Sequence, residues 1–406
     1  MLERTFGSRA GCADNLDRST ADLYTIVNAK GKKFREVQHY FMLIVRSPVR
    51  ISFGGGGTDL PAYFENYGGV VLSAAINKYF YTVLCKRNDH RLQVISSDLR
   101  ACETWQDIAR MNLDDSELAI PLAAVKELGC DLSVDLFLSS EIPPGTGLGS
   151  SASVCVNVLK TLTEYMGIPY SRYDLAEKSY HIARNVLKKP VGKQDEYASA
   201  FGGLNFISFR RDGSVEVDPV VLDGRILRDL QSNLMLYFTG AAHHSWTILH
   251  EQEKSSSESG SVAVDALHQI RELAFRMKTA LLRGELTHFG RLLHEGWCAK
   301  KQVSSRISNS KIDELYSLAL KHGAVGGKIT GAGGGGFLLL YCEQPYQEAV
   351  RSAFREVGIR EMQFEFDFQG AHVVVHDPFL DGDEVGASRW TFVPNVPWLP
   401  SAAQQV

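Results

Sequence analysis

The chain has 406 residues, of which 44% are hydrophobic and 22% charged, and its formal net charge is −4. This composition is typical of a soluble globular protein, and the length allows two or three domains or two large lobes. The small negative charge excludes a general attraction to nucleic acid or to anionic membranes, so any phosphate must be bound by local groups. No apolar run is long enough to span a membrane, and no secretory-type apolar segment is found, so we expect a cytoplasmic protein.

The first 41 residues are polar and only weakly periodic, which predicts an N-terminal extension outside the folded core. A strand is predicted to begin at Met42 and to lead into the stretch Ser47–Asp59, which contains four consecutive glycines. Such a run indicates positive φ angles or a backbone that a ligand must approach closely. Arg50 and Asp59 flank the glycines. Each also has an ordinary alternative, a surface ion pair for Arg50 and a cap for Asp59.

Hydrophobic periodicity predicts most of the remaining elements. Two strands, 70–76 and 80–84, are expected to be joined by a turn at Asn77–Tyr79. Further strands are predicted over 91–97, 204–209, 215–221, 234–240, 362–367 and 371–376. Helices are predicted over 115–129, 152–166, 172–188, 262–283, 285–302, 310–322 and 345–357. The low-complexity segment Ser255–Ser261 predicts a mobile surface loop, and residues 379–406 predict a tail.

A Gly-rich stretch, Glu141–Ser153, lies between a predicted strand and a predicted helix. Its three alternating glycines let backbone N–H groups approach a ligand, and the helix N-terminus attracts phosphate. The stretch lacks the lysine of a Walker A loop and the spacing of a dinucleotide-binding fingerprint. Taken alone, it is equally consistent with a turn that ends in a serine cap.

Two further segments are candidates for chemistry. Pro190–Leu204 places Lys193 and Asp195 on a predicted loop bounded by glycines. A second Gly-rich loop, Lys328–Gly336, leads directly into a predicted strand. Phosphoryl transfer needs N–H donors and positive charge around the transferring group, and a carboxylate can take the proton of the acceptor hydroxyl. The loops, the lysine and the aspartate are suited to those tasks.

Three motifs in this order resemble those of the GHMP kinases, the superfamily of galactokinase, homoserine kinase, mevalonate kinase and phosphomevalonate kinase. The motifs are Ser47–Asp59, Pro143–Ala152 and Lys328–Gly336. The resemblance covers about residues 43–378. The four-glycine run, together with Val191–Tyr197 and Ile307–Asn309, further resembles the D-glycero-D-manno-heptose 7-phosphate kinases.

The resemblance implies an α+β fold of two lobes with the active site between them. The N-terminal lobe would be like ribosomal S5 domain 2 and the C-terminal lobe ferredoxin-like. The expected divisions are an extension over 1–41, an ATP-binding lobe over 42–215, a C-terminal lobe over 216–378 and a tail over 379–406.

The resemblance also implies roles for individual residues. ATP would be bound by Pro144, Gly145, Thr146, Gly147, Leu148, Gly149, Ser150, Ser151 and Asn77, with Ser150 also reaching Mg²⁺. Asp195 matches the acid near the acceptor hydroxyl, and Arg50 matches the cation beside that base. Lys193 would add positive charge. The sugar would be bound by Gly56, Gly57, Thr58, Asp59, Gly333, Gly334, Lys301 and Arg306.

A substrate that already carries phosphate needs a second cationic pocket, for which Lys300, Lys301 and Arg306 are candidates. A solvated helix face is the more ordinary role for these three residues. Two departures from the family pattern concern the metal and the sugar. The window Ala183–Asn185 holds no acid where GHMP kinases usually carry a second metal-linked carboxylate, and no arginine lies near His243.

The leading hypothesis is an ATP- and Mg²⁺-dependent kinase that phosphorylates the anomeric hydroxyl of a heptose 7-phosphate to give the 1,7-bisphosphate. A kinase of an unphosphorylated sugar, of fucose or galactose type, is the alternative within the same class. A catalytically silent GHMP-fold sensor of sugar and ATP is the alternative from another class. Asp195 favours an enzyme, and the missing acid favours the sensor. The expected partners are ATP and a small sugar phosphate, without nucleic acid or membrane, and a homodimer remains open.

Overall fold

The structure, a computed structural model, describes residues 25–27, 33–35, 42–114, 116–129, 133–240, 245–256 and 260–377. The chain divides into two compact units, Met1–Tyr40 and Phe41–Val406. In the first unit, strands β1 (Thr25–Val27) and β2 (Lys33–Arg35) pair antiparallel.

Three predictions concern residues outside the described ranges. They are the tail over 379–406, the central part of the Ser255–Ser261 segment and the surroundings of His243. Among the residues that are described, no helix combines the length and the apolar character needed to cross a membrane.

The described strands of the second unit form two sheets. The strands are β3 (Met42–Gly54), β4 (Gly69–Lys86), β5 (Leu92–Ser96), β6 (Ala101–Trp105), β7 (Val134–Ser140), β8 (Leu204–Phe209), β9 (Val215–Pro219), β10 (Leu234–Phe238), β11 (Ala324–Ile329), β12 (Phe337–Cys342) and β13 (His372–Asp377). The large sheet has the order β13-β3-β4-β7-β5-β6, with β8 pairing with β4 and β9 with β8. Only β5 and β7 pair in parallel. The small antiparallel sheet has the order β10-β12-β11.

The long strands β3 and β4 are the centre of the large sheet. One half of β4 pairs with β8 and the other half with β7. The prediction of two strands joined by a turn at Asn77–Tyr79 is wrong, because β4 runs without a break through these residues. The β3–β4 register shifts next to Pro48, and Asn77 and Lys78 form a bulge of β4. Polar residues at a bulge interrupt the alternation of side chains much as a turn does.

Eleven α-helices are described in the second unit. They are α1 (Pro61–Tyr67), α2 (Ala119–Leu128), α3 (Ser150–Tyr165), α4 (Arg172–His181), α5 (Gln194–Phe201), α6 (Gly224–Asn233), α7 (Ser245–Ser256), α8 (Val262–Leu282), α9 (Leu286–Val303), α10 (Ser310–Lys321) and α11 (Gln344–Glu356). Helix α3 packs on β3 and β4, and its Val156, Leu159 and Leu162 are fully buried in the core of that region. The helix N-terminus that follows the first Gly-rich loop is thereby held rigidly on the sheet.

Strong periodicity predicted the long helices well. The predictions over 262–283, 285–302 and 310–322 are confirmed as α8, α9 and α10, with ends that differ by one residue. The helix predicted over 172–188 is shorter, because α4 ends at His181 and continues as a π-helical turn over Ile182–Val186. The strand predicted over 362–367 is absent from the described structure, which has there only isolated bridges.

The chain does not pass from one sheet to the other at a single point between residues 215 and 216. Strand β9 lies beyond that point for most of its length and pairs with β8 in the large sheet. Strand β13 also returns to the large sheet and pairs with β3. Helix α8 contacts β3 and β4, whereas α9 and α10 contact β11 of the small sheet. Helix α8 of the C-terminal half therefore packs directly on the large sheet. The first Gly-rich loop follows β7 of the large sheet, and the second joins β11 to β12 of the small sheet.

Candidate active site

A cavity of about 470 Å³ lies where the two Gly-rich loops, the four-glycine segment and the start of α5 meet. The predicted site residues that line it are Arg50, Gly56, Gly57, Asp59, Pro144, Gly145, Gly147, Gly149, Ser150, Ser151 and Asp195. The predicted site residues that do not line it are Asn77, Thr58, Thr146, Leu148, Lys193, Lys301, Arg306, Gly333 and Gly334. The structure therefore brings together the phosphate-loop residues, the acid and the arginine.

The first Gly-rich loop connects β7 to α3 and presents a helix N-terminus to the cavity. Gly145, Gly147 and Gly149 all have positive φ angles, of 75°, 81° and 77°. Gly149 is the N-cap of α3, and no side chain caps this helix end. The hydroxyl groups of Ser150 and Ser151 are therefore not used as caps and lie at the cavity. Uncapped N–H groups at a helix N-terminus form a natural phosphate site.

The second Gly-rich loop packs against the first, backbone to backbone. The amide of Phe337 donates to the carbonyl of Thr146 over 3.2 Å. A Cβ atom on Gly147 would lie 2.4 Å from the carbonyl oxygen of Thr330, so a side chain has no room there. Gly331 and Ala332 line the cavity, whereas the predicted sugar ligands Gly333 and Gly334 do not. The amide of Gly334 instead donates to Ile307, over 2.7 Å.

Three predicted ligands have structural positions instead. Leu148 and Thr146 are fully buried, and the Leu148 carbonyl accepts the amide of Arg50 over 2.9 Å. Thr58 is also fully buried, and its hydroxyl lies 2.8 Å from the carbonyls of Gly55 and Val70. These contacts shape the loops that face the cavity.

Asn77 lies in the bulge of β4 and does not reach the cavity. Its side-chain oxygen accepts the amide of Glu365 over 2.7 Å. Its position supports a role in connecting β4 to the segment before β13, not the predicted role in binding ATP.

Asp195 and Arg50 form the central charged pair. Asp195 lies in the first turn of α5, so the prediction of a loop at this position is wrong. The Nε and Nη2 atoms of Arg50 lie 2.8 and 2.6 Å from the same oxygen of Asp195, Oδ1. The Nη1 atom of Arg50 donates to the carbonyl of Gly147 over 2.7 Å. Arg50 thus holds the carboxylate next to the phosphate loop.

Lys193 is directed away from the cavity, contrary to its predicted catalytic role. Its Nζ atom lies 2.8 Å from Oε1 of Glu177 and donates to the carbonyl of Gly213 over 2.9 Å. It also lies 5.0 Å from the ring centre of Tyr180. These partners fully occupy the ammonium group. Lys193 is the last residue before α5, and its side chain turns towards α4.

Asp59 lines the cavity beside the four-glycine segment and is 3% exposed. Its Oδ1 accepts the amide of Gly57 over 2.9 Å and the side-chain N–H of Gln194 over 3.3 Å. Burial, and then the nearby charge of Asp195, raise the pKa of Asp59. A Cβ atom on Gly192 would lie 2.0 Å from Oδ2 of Asp59, so this position requires glycine. Asp59 is held firmly and faces the cavity.

Of the three cationic candidates, Lys300 lines the cavity and the other two lie outside it. Lys301 pairs with Asp313 over 3.3 Å, and Arg306 with Glu251 over 2.9 Å. Helix periodicity explains the difference between Lys300 and Lys301, because consecutive residues of α9 face different directions, whereas Arg306 lies beyond the end of α9.

Lys328 lines the cavity, although the sequence indicated it only as the first residue of the second Gly-rich loop. It lies on β11 and is 7% exposed, while Lys300 on α9 is 6% exposed. Burial lowers the pKa of Lys300 to about 8. Burial, and then the charges of Lys300 and Arg50, lower the pKa of Lys328 to about 7. A lysine placed directly before a Gly-rich loop was the signal that could have identified it.

Glu196 is a second acid that the sequence did not indicate. It lines the cavity, is 2% exposed, and its Oε2 atom has no hydrogen-bond partner among the described residues. Burial and the charge of Asp195 raise its pKa well above the ordinary value. Ala183, in the window expected to hold an acid, also lines the cavity. An unpartnered buried carboxylate next to a phosphate site is suited to a cation.

The folded chain matches a known family in both halves. Residues 118–203 match the N-terminal domain of the GHMP kinases, and residues 277–360 match their C-terminal domain. The D-glycero-alpha-D-manno-heptose 7-phosphate kinase of Campylobacter jejuni is 31% identical over 330 residues, 80% of this chain and 96% of that enzyme. The L-fucokinase/L-fucose-1-P guanylyltransferase of Bacteroides fragilis is 27% identical, over 75% of this chain and 35% of that longer protein.

A solved structure is similar over almost its whole length. The crystal structure of a D-glycero-D-manno-heptose 1-phosphate kinase from Bacteroides thetaiotaomicron has a TM-score of 0.69 at 28% identity. The match covers 82% of this chain and 98% of that chain. The fold and these matches define a small-molecule kinase that uses ATP as the phosphate donor. The chain belongs to the GHMP kinase family, which confirms the predicted fold class and the prediction of an enzyme.

Proposed function

We propose that this chain is an ATP-dependent kinase that phosphorylates the anomeric hydroxyl of a D-glycero-D-manno-heptose 7-phosphate and yields the 1,7-bisphosphate. The observation that carries the proposal is the cavity in which a phosphate-type loop lies beside the Arg50–Asp195 pair. The C. jejuni relative, whose name specifies a heptose 7-phosphate as substrate, supports this choice of sugar. A cytoplasmic location and a homodimer belong to the same proposal as expectations.

Different residues of the cavity have different roles in the proposed reaction. The N–H groups of the Gly145–Gly149 loop and of the start of α3 bind the ATP phosphates. The acceptor hydroxyl attacks the γ-phosphorus, the bond to the ADP oxygen breaks, and the hydroxyl proton passes to Asp195. Oδ2 of Asp195 is the oxygen for that proton, because Oδ1 already accepts both bonds from Arg50. Asp59 and Gln194 are placed to orient the sugar.

Mg²⁺ is part of the proposal, and Ser150 and Glu196 would hold it. Both residues line the cavity, and the Glu196 carboxylate has an oxygen without a partner. When bound with ATP, Mg²⁺ neutralises the charge that develops on the phosphates. In the described part of the chain, no group of three or more His, Cys, Asp or Glu side chains is arranged so that it could hold a metal ion. This fits a metal that keeps several waters and arrives with the nucleotide.

The test is a turnover assay with ATP, Mg²⁺ and a set of sugars: heptose 7-phosphate, the unphosphorylated heptose, fucose and galactose. We expect heptose 7-phosphate to be preferred and ³¹P NMR to find the new phosphate on the anomeric oxygen. Preference for a free sugar would select the alternative that the fucokinase match supports. No turnover of any of these sugars would favour the silent sensor.

A further inference from the structure

Two buried ammonium groups line the cavity beside the proposed sugar position, and neither forms an ion pair with any described residue. Lys300 and Lys328 both line the cavity, and each is more than nine-tenths buried. In the described part of the chain, Lys300 donates only to neutral groups, the carbonyl of Gly56 over 3.0 Å and the amide oxygen of Gln252 over 3.3 Å. Lys328 has neither a hydrogen bond nor an ion pair with any described residue. Buried charges without carboxylate partners are rare because their desolvation is costly.

Other cations near the cavity are paired. Arg50 binds Asp195, Lys193 binds Glu177 and Arg184 binds Glu253. By contrast, no described carboxylate lies within ion-pair distance of Lys300, which donates to neutral oxygens, or of Lys328. A site of this kind is suited to an anion that arrives from outside.

We propose that Lys300 and Lys328 form a pocket for the phosphate group that the sugar already carries. The inference rests on the proposed function, since it names the groups that bind the far end of that substrate. It extends the function by separating two anion sites, one at the α3 N-terminus for ATP and one at this lysine pair.

The contacts of Lys300 place it beside the four-glycine segment, which is the proposed sugar side of the cavity. Lys300 contacts the four-glycine segment, and a Cβ atom on Gly57 would lie 3.0 Å from its Nζ atom. Asp59 is the charged group of opposite sign that acts on both lysines, and Arg50 and Lys300 are the cations that act on Lys328. Arg50 bonds to Asp195 and to the carbonyl of Gly147, so it lies where the cavity meets the phosphate loop. A sugar oriented by Asp59 would direct its other end to the lysines.

The experiment compares wild type with Lys300→Met and Lys328→Met, using heptose 7-phosphate and the unphosphorylated heptose as acceptors. Each methionine retains the apolar stem and removes the charge. We expect kcat/KM for heptose 7-phosphate to fall about 10- to 100-fold, the usual effect of losing a charge-assisted hydrogen bond. KM for ATP and kcat/KM for the free heptose should stay within about threefold. Lys301→Met is the matched control and should change none of these values.

Folding is checked separately from binding. Lys328→Arg keeps the charge and should retain most of the activity towards heptose 7-phosphate. Circular dichroism and melting temperatures of all variants should match wild type closely enough to exclude unfolding. Equal losses on both sugars would overturn the pocket, as would weaker binding of a non-hydrolysable ATP analogue by Lys328→Met.

A final measurement distinguishes failure of the pocket from failure of the proposed function. Binding of inorganic phosphate to wild type and to Lys328→Met is measured by calorimetry with the ATP site filled by the analogue. Binding that is lost in the variant supports the pocket even if heptose 7-phosphate is not a substrate. Equal binding, or none, overturns it. Turnover of heptose 7-phosphate that does not depend on either lysine overturns the pocket alone.

Discussion

Arg50 places both of its bonds to Asp195 on a single carboxylate oxygen, with Nε and Nη2 lying 2.8 and 2.6 Å from Oδ1. The second oxygen, Oδ2, points towards Gly149, where a Cβ atom would lie 3.3 Å from it. The arginine therefore fixes the carboxylate and leaves one oxygen for the acceptor hydroxyl. Asp195 remains partly exposed at 29%, as its proposed contact with a substrate requires.

Asp195→Asn tests this assignment. The amide oxygen can still accept from Arg50, so the loop and the ATP site should remain intact. The amide cannot take a proton, and we expect turnover to fall about 10²- to 10⁴-fold. Affinity for a non-hydrolysable ATP analogue, measured by calorimetry, should not change. Turnover within about threefold of wild type would remove Asp195 from the role of base.

The contact between the two Gly-rich loops predicts a difference between two glycines with similar backbone. Gly147 and Gly129 have φ angles of 81° and 68°, so alanine costs roughly 1 kcal/mol of strain at either position. At Gly147 the new Cβ would also lie 2.4 Å from the Thr330 oxygen, whereas nothing lies within 4 Å at Gly129. Gly147→Ala should therefore lower the melting temperature further and weaken binding of the ATP analogue. Equal effects of the two substitutions on melting would show that the loops are not packed as described.

Elements with long, regular periodicity were predictable from the sequence, and short ones were not. Helices α8, α9 and α10 repeat apolar residues over several turns and were located within a residue. Helix α5 was predicted as a loop because glycines bound it closely and its eight residues are too few to establish a helical period. Its stability comes from packing on α3, α4 and β3, which are distant along the chain.

In the site, too, local motifs predicted some residues, whereas the positions of others depend on contacts with distant parts of the chain. The Gly-rich loop, Ser150 and the pairing of Arg50 with Asp195 followed from local motifs and from the family resemblance. Lys193 and Lys300 could not be assigned in this way, because the direction of a lysine depends on partners from other elements. Glu196 directly follows Asp195, yet only the three-dimensional packing shows that it lines the cavity. Glu196 could supply the carboxylate that the sequence lacks at Ala183–Asn185.

Glu196→Gln tests the proposed metal position. The substitution keeps the shape of the side chain and removes its charge, so Mg²⁺ should bind more weakly, and half-maximal turnover should need roughly tenfold more Mg²⁺. Electron paramagnetic resonance of Mn²⁺ with the ATP analogue gives a readout independent of turnover, and the bound fraction should fall. Mn²⁺ should not bind to either protein without nucleotide.

The same variant should affect stability in the opposite direction. Burial raises the folded-state pKa of Glu196, so above the ordinary carboxyl pKa the unfolded chain, in which this group ionises freely, is favoured and the folded protein is destabilised. Glutamine removes this penalty, and the melting temperature of nucleotide-free Glu196→Gln at pH 8 should exceed that of wild type. Unchanged Mn²⁺ binding would contradict the metal role even if the stability increases.

The last prediction concerns pH and the lysine pair. Burial and neighbouring cations lower the pKa of Lys328 to about 7 and burial lowers that of Lys300 to about 8. A sugar phosphate is already a dianion above about pH 6, so in this range the enzyme, not the substrate, loses charge complementarity as pH rises. We expect kcat/KM for heptose 7-phosphate to fall progressively between pH 7 and pH 9, since this ratio reports the free enzyme.

Lys328→Arg should delay the fall, because a guanidinium stays charged throughout. The free heptose should show no such fall. A flat profile for heptose 7-phosphate from pH 7 to pH 9 in wild type would show that neither lysine needs its charge to bind this substrate.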